Sequence, residues 1–375
     1  MPKPIEIEID QTRLAAALAA AVSITDKRSS NQPILGSLLL QASAKGVFLS
    51  ATDMQVSMRE KIDATSIAHG SICVTADYLL RVVRSLPAKP LRITGLDNHW
   101  LKVVTGRSEF KLMGQGPSDF PELPEPDPAA VWATVPAAQI RDLIAKVEFS
   151  ASTDLARTNL NGMLLGSAGK VATAVTTDGH RLTKYATAVA LPRWDRDIII
   201  PRRCVIELRK FVDKRPGDVD VAVGGGPGGH LFVRAGTAAM LSMKLNNVVF
   251  PPYEQVIPKN VVRTAVVLRE ELLSVLRRAQ VMAPEKTATV RIELDRTNMK
   301  LVADNPDLGI STEEIEITFK GDPMTAGYNA TYLIEALEVM TTAKVVLEFQ
   351  NELDPCVIRP VDGPDFLSVV MPMRI

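Results

Sequence analysis

Apolar and polar positions along this chain repeat one long-range pattern. Residues 34–57 read "ILGSLLLQASAKGVFLSATDMQVS" and residues 159–182 read "NLNGMLLGSAGKVATAVTTDGHRL". Each runs through an apolar strand, a Gly-containing turn and a second strand, then reaches Thr-Asp. Leu35 to Asp53 and Leu160 to Asp178 both span 18 residues. A looser third copy, "TVRIELDRTNMKLVADNPDLGIS" at 289–311, places Asp304 in the equivalent position, so the three aspartates stand 125 and 126 residues apart. Helical periodicity recurs at the same interval. "RLAAALAAAV" (13–22), "QIRDLIAKV" (139–147) and "ELLSVLRRA" (271–279) each follow a strand, and Leu14, Leu18 and Val22 form an i, i+4, i+8 stripe. A second trio comprises "VTADYLLRVVRSL" (74–86), "IPRRCVIELRKFV" (200–212) and "YNATYLIEALEVM" (328–340). Each reads as a strand end followed by an amphipathic helix, opened by Thr75, Pro201 and Asn329.

The repeat is therefore strand, helix and several strands, then the same order again, long enough for each copy to hold its own core. Its boundaries are visible in composition. "GQGPSDFPELPEPDPAA" (114–130) has five prolines and reads as a linker, and "FPPYEQVIPK" (250–259) closes the second copy. The expected fold class is α+β, with three domains at 1–125, 126–255 and 256–375.

Composition narrows the function. The 375 residues are 46% hydrophobic and 23% charged, which fits a globular chain with several cores of mainly aliphatic side chains. The N-terminal stretch shows no secretory signal pattern, and the longest apolar run, "LAAALAAAV" (14–22), is far short of a membrane span. Cys73, Cys204 and Cys356 are widely separated, which argues against a disulfide framework or zinc site and fits the cytoplasm. Formal charge is zero, so a nucleic-acid role requires that basic residues be gathered on one face.

"GGGPGG" (224–229) matches a dinucleotide-binding pattern only by letters. Pro227 removes a phosphate-binding N–H, a strand pattern follows, and the equivalent places in the other copies, "LDNHW" (96–100) and "QNELD" (350–354), are turn-like. A hairpin turn is expected in all three. Asp178 and His180 invite a catalytic reading, but no nucleophile motif or metal-ligand cluster accompanies them. The aspartate also recurs at Asp53 and Asp304 without a histidine, which favours a turn-forming role. What sets the middle copy apart is "GHRL". Gly179 permits close backbone approach, His180 and Arg181 offer donors, and Leu182 offers an apolar wall. The helices carry bases: Arg81 and Arg84 in copy one, Arg202, Arg203, Arg209 and Lys210 in copy two, with Arg13, Arg141, Lys146, Arg269, Arg277 and Arg278 on the first helices. Apolar faces packed on the sheets would leave these bases outward.

With "QPILGSLLLQ" (32–41), "NLNGML" (159–164), "TDGHRL" (177–182), "FPPYEQVIPK" and "VVMPMRI" (369–375) in this order, the chain resembles the bacterial DNA polymerase III beta subunit family, the sliding clamps. The resemblance covers essentially the whole length. It implies a non-enzymatic, cofactor-free ring of two chains joined head to tail, helices inward, around duplex DNA. It also implies partners: the polymerase III catalytic subunit, the clamp loader, other DNA polymerases and mismatch-repair proteins, which insert a peptide of Gln-Leu-x-Leu-Phe type. By position, the peptide pocket would involve Leu160, Thr177, Gly179, His180, Arg181 and Leu182. Pro251, Val256, Asn329 and Tyr332 would join them, with Met371, Pro372, Met373 and Arg374 from the C-terminal segment. Gln255, where the family often has Arg, and the terminal Ile375, in place of Leu, imply a retuned peptide preference. For DNA the resemblance points to Arg202 and Arg203 and more loosely to Arg28, with Arg81 and Arg84 as further basic helix positions. For the ring interface it sets Phe110 and Leu112 against Val281 and Met282.

Size considerations favour the ring. A 125-residue globule is roughly 35 Å across, so three in contact leave a gap of only ~5 Å whereas six in a hexagon leave a hole of ~35 Å. The competing readings are a repeat-built peptide scaffold that never encloses DNA and, behind it, an enzyme using Asp178 and His180. Loss of an activity in His180→Ala would favour the enzyme, and loss of peptide affinity would favour a docking protein.

Overall fold

The computed structural model describes residues 4–26, 31–192, 194, 196–224 and 229–374. Arg28, Ile375 and the four central residues of "GGGPGG" lie outside the described residues. Six α-helices occur among those described: α1 (Gln11–Ile24), α2 (Ala76–Ser85), α3 (Ala137–Ala145), α4 (Arg202–Asp213), α5 (Arg269–Val281) and α6 (Ala330–Glu338). The chain forms two compact units, one of residues 1–138 with 206–245, the other of 139–205 with 246–375.

The first unit is built on one antiparallel sheet of 13 strands. Its hairpins follow from the period-2 alternation of the sequence, as in Ser37–Ser43 against Gly46–Thr52, where Leu40 pairs with Leu49. The strand Ala239–Lys244, late in the middle repeat, pairs with Val56–Ile62 of the first, matching Leu241 with Met58. Hydrogen bonding thus runs unbroken from one sequence repeat into the next. Helices α1 and α2 pack together in this unit. Asp10 caps α1, its carboxylate accepting from the Thr12 and Arg13 amides at 2.9 and 3.3 Å. The buried stripe of α1 is Leu14, Leu18, Ala21 and Ile24; Val22 is only half-buried, because 3.6 residues per turn carries the stripe to i+7 rather than i+8.

The second unit holds a nine-stranded and a four-stranded antiparallel sheet. Arg181–Thr187 of the middle repeat pairs with Asp365–Val370 of the third, Arg181 opposite Val370 and Leu182 opposite Val369. Helices α5 and α6 pack on each other. Asn329 is the N-cap of α6, its side chain accepting from the Tyr332 amide at 3.2 Å. Thr75 is the N-cap of α2 without a side-chain bond, and Pro201, the last residue of the strand Ile198–Pro201, immediately precedes α4. The three turn-like stretches all connect paired neighbouring strands: Pro90–Gly95 with Trp100–Thr105, Asp218–Gly224 with His230–Ala235, and Lys344–Phe349 with Cys356–Pro360.

Candidate functional site

The stretch Thr177–Leu182 is a tight turn between the strands Val171–Thr177 and Arg181–Thr187. Asp178 shapes it. Its Oδ1 accepts from the His180 and Arg181 amides at 2.9 and 3.1 Å, which is the turn-forming role expected from the sequence. Thr177 Oγ1 accepts from the Gly179 amide at 3.2 Å and donates to the Arg181 carbonyl at 2.6 Å. Gly179 takes φ +91°, a conformation that needs no Cβ. His180 is left exposed at the tip. Asp53 shapes the first copy similarly, accepting from the Gln55 and Val56 amides at 2.9 and 2.6 Å. In the third copy the expectation fails: Asp304 pairs with Ile310 inside a strand ladder, and Asn305 accepts from the Asp307 amide instead.

Leu182 points from the turn into an apolar cluster with Leu164, Val175, Ile199, Phe250, Val357, Leu367 and Val369. Tyr253 and Ile257 pack partly buried against it. Phe250 and Tyr253 meet edge to face at 6.3 Å between centroids. Pro251 and Val256 stand on this same 250–257 segment, Pro251 half-buried and Val256 exposed, with Gln255 exposed beside it. Burial, followed by the neighbouring Glu254 and Asp197 charges, pushes the Tyr253 phenol up to about 12.

The C-terminal segment joins the turn through its backbone. The Met371 amide donates to the His180 carbonyl at 2.9 Å, and the Met373 amide donates to the Gly327 carbonyl at 2.8 Å. Met371 and Arg374 are exposed; Pro372 and Met373 are half-buried, and Thr289 Oγ1 lies 3.5 Å from the Met373 sulfur. Leu160 is half-buried at the end of a loop whose Arg157 guanidinium lies 3.5 Å from where a Cβ on Gly179 would sit. Thr177, Gly179, His180, Arg181, Leu182, Asn329, Tyr332, Met371 and Met373 are thus tied together by hydrogen bonds, packing or ring contact.

Arg181 departs from the expected role of an outward donor. Its side chain is only 10% exposed and turns toward α6. Nε donates to Asp178 Oδ2 at 3.0 Å, one terminal nitrogen bonds Glu335, and the other donates to the Phe149 carbonyl at 2.5 Å. The guanidinium also lies 4.3 Å from the centroid of the Tyr332 ring. Phe149, Glu335 and Phe250 are contributors that sequence reasoning missed. Only Phe250, within the quoted Phe-Pro-Pro motif, carried a signal.

Elsewhere, Arg81 pairs with Asp77 at 2.6 Å on the surface of α2, and Arg84 is exposed. Arg202 and Arg203 sit half-buried in the first turn of α4. Arg269, expected outward, instead turns in to the Leu337 and Thr342 carbonyls at 3.2 Å each. Phe110, 37% exposed, and half-buried Leu112 stand on Ser108–Gln115, which pairs fully with Trp100–Thr105 on one side. On its other side only Gly114 and Gln115 pair, with Val74 and Cys73. Val281 ends α5 at 73% exposed, and the Met282 methyl lies 3.5 Å from where a Cβ on Gly309 would sit. Gly309–Glu316 is an edge strand carrying exposed Ile310. Among the described residues no group of acidic, His and Cys side chains could hold a metal, and no helix is long and apolar enough to cross a membrane.

Three family models match in order: the DNA polymerase III beta subunit N-terminal domain over residues 5–124, its central domain over 134–252 and its C-terminal domain over 254–374. The chain is 30% identical over 370 residues to the beta sliding clamp of Pseudomonas putida, covering 98% of this chain and 99% of that one. It is 29% identical over 344 residues to the beta sliding clamp of Escherichia coli K12, covering 92% and 93%. Among solved structures, the DNA polymerase III subunit beta from Pseudomonas aeruginosa superposes with a TM-score of 0.90 at 27% identity, over 98% of this chain and 100% of that one. A sliding clamp from Bartonella birtlesii, solved bound to griselimycin, gives 0.92 at 26% identity over 99% and 100%.

Proposed function

This chain belongs to the DNA polymerase III beta subunit family, and from that premise we propose that it is a DNA sliding clamp that tethers the replicative polymerase to duplex DNA. The observation that carries the reading is the in-order match of all three family domains across nearly the whole chain. Each chain supplies three clamp domains, 1–125, 126–255 and 256–375, and two chains close head to tail into a ring of six. The two open strand edges support this closure. Ser108–Gln115 offers Phe110 and Leu112, while Gly309–Glu316 offers Ile310 beside Val281 and Met282. Unlike edges meeting by a closing rotation make a ring rather than a filament.

The ring holds DNA by topology, so a neutral total charge suits it, and basic helix residues such as Arg84, Arg202 and Arg203 need only weak contact with phosphates. The turn at Thr177–Leu182, with the 250–257 segment, α6 and Met371–Arg374, forms the docking site for peptides of the polymerase, the clamp loader, other polymerases and mismatch-repair proteins. No catalytic step is assigned: the Asp178 carboxylate is engaged by two amides and a guanidinium. The protein acts in the cytoplasm.

Negative-stain electron microscopy of the purified protein tests the reading. Closed rings with a pseudo-sixfold outline and a central hole are expected. Crescents or compact particles without a hole, at every concentration tried, would leave the peptide scaffold as the better account.

A further inference from the structure

We infer that Arg181 is a positioning residue of the docking site: it fixes α6 against the 177–182 turn, rather than donating to the docked peptide. The inference rests on the docking reading. All three guanidinium nitrogens already have an acceptor: Asp178 on the turn itself, Glu335 on α6, and the carbonyl of Phe149 in the short helical turn Glu148–Ser150. The Tyr332 and Phe149 rings lie against it, at 4.3 and 5.4 Å from its carbon to the ring centroids. A guanidinium only 10% exposed, with an acceptor on each of its three nitrogens, is turned to the protein on all sides rather than outward to a ligand.

What it joins matters for docking. The turn carries Leu182 and the apolar floor, while α6 carries Tyr332 and is capped by Asn329. Lys146, just beyond α3, donates to the Val339 carbonyl at the C-terminal end of α6. Two cations of the middle repeat therefore hold a helix of the third, Arg181 at Tyr332 and Glu335 and Lys146 at its C-terminal end. Arg is suited to the first task because its planar fork reaches three acceptors at fixed angles, which a lysine cannot do. Without that fork, Asp178 and Glu335 would be left as two carboxylates with no cation between them, and α6 would be free to shift against the turn.

A double-mutant cycle tests this on the full chain. The readout is fluorescence anisotropy with a fluorescein-labelled Gln-Leu-Ser-Leu-Phe pentapeptide, and circular dichroism confirms folding. Arg181→Gln is expected to weaken binding about tenfold, within the coupling range of residues that share one network. Glu335→Gln, on the side of α6 that Arg181 grips, should also weaken binding, and the double variant should bind no worse than Arg181→Gln alone. Arg181→Lys should resemble Arg181→Gln. If Glu335→Gln leaves affinity unchanged, or the two losses multiply in the double variant, Arg181 contacts the peptide itself and the inference falls. Should Arg181→Gln not fold, Glu335→Gln decides alone: weakened binding supports the inference and unchanged binding overturns it. No peptide binding by the unsubstituted protein would instead overturn the docking reading.

Discussion

The turns at Thr52–Ser57 and Thr177–Leu182 share one wiring and carry different cargo. In both, the threonine hydroxyl accepts from the amide two residues on, at 3.0 Å from Met54 and 3.2 Å from Gly179. In both, the aspartate Oδ1 accepts from the amides two and three residues on. The four residues that follow the aspartate all differ. Met54 becomes Gly179, Gln55 becomes His180, Val56 becomes Arg181, and Ser57 becomes Leu182. Ser57 is buried in a hydroxyl pair with Thr52 at 2.7 Å, whereas Leu182 enters an apolar cluster. A repeated turn thus supplies a common frame, and on the proposed reading docking uses side chains of one copy that the other lacks.

The largest test of this contrast removes the shared aspartate from each copy. Asp178→Ala withdraws the acceptor of two amide N–H groups and leaves Arg181 Nε without its carboxylate, so it should cost about 3 kcal/mol and also reduce peptide binding. Asp53→Ala withdraws the acceptor of the Gln55 and Val56 amides and should leave peptide affinity unchanged. Urea melts and peptide titrations on both variants check the pair; lost peptide affinity in Asp53→Ala, or unchanged affinity in Asp178→Ala, would contradict the contrast.

Next in size is the left-handed position. Gly179→Ala at φ +91° should destabilise by about 1–2 kcal/mol. The first copy already tolerates a side chain there, with Met54 at φ +70°. Met54→Gly should change stability by less than about 0.5 kcal/mol, because relief of strain and the added freedom of the unfolded chain oppose each other. Thermal melts of the two variants decide it.

The smallest effect is alkaline. Tyr253 packs against the apolar cluster of Leu182 with its phenol raised from 10.0 to about 12, so the folded protein keeps a proton that the unfolded chain releases. Stability should therefore fall as pH rises between those values. Tyr253→Phe should make that part of the fall shallower, as read from melts at stepped pH.

Much of this was legible in the sequence because it is local. The hairpins, the six helices and the Asx role of Asp53 and Asp178 depend on periodicity and on residues two or three apart. Asp304 misled because its register in the Asn298–Asn305 ladder is set by the partner strand, which passes the turn role to Asn305. Arg181 misled for a related reason. Its partners Phe149 and Glu335 lie 32 and 154 residues away, and nothing near Arg181 in the chain marks them. The burial of Arg269 was hidden in the same way, since its acceptors are carbonyls at and beyond the end of α6.

The central claim, that the second of two like-built turns became a docking edge, is tested most directly by methyl NMR. Methionine-methyl-labelled protein would be titrated with the Gln-Leu-Ser-Leu-Phe pentapeptide and followed at Met371, Met373 and Met54. Saturable shifts at Met371 and Met373 with Met54 unmoved are the predicted result. Shifts at Met54, or none at the C-terminal pair while the peptide binds, would contradict the account.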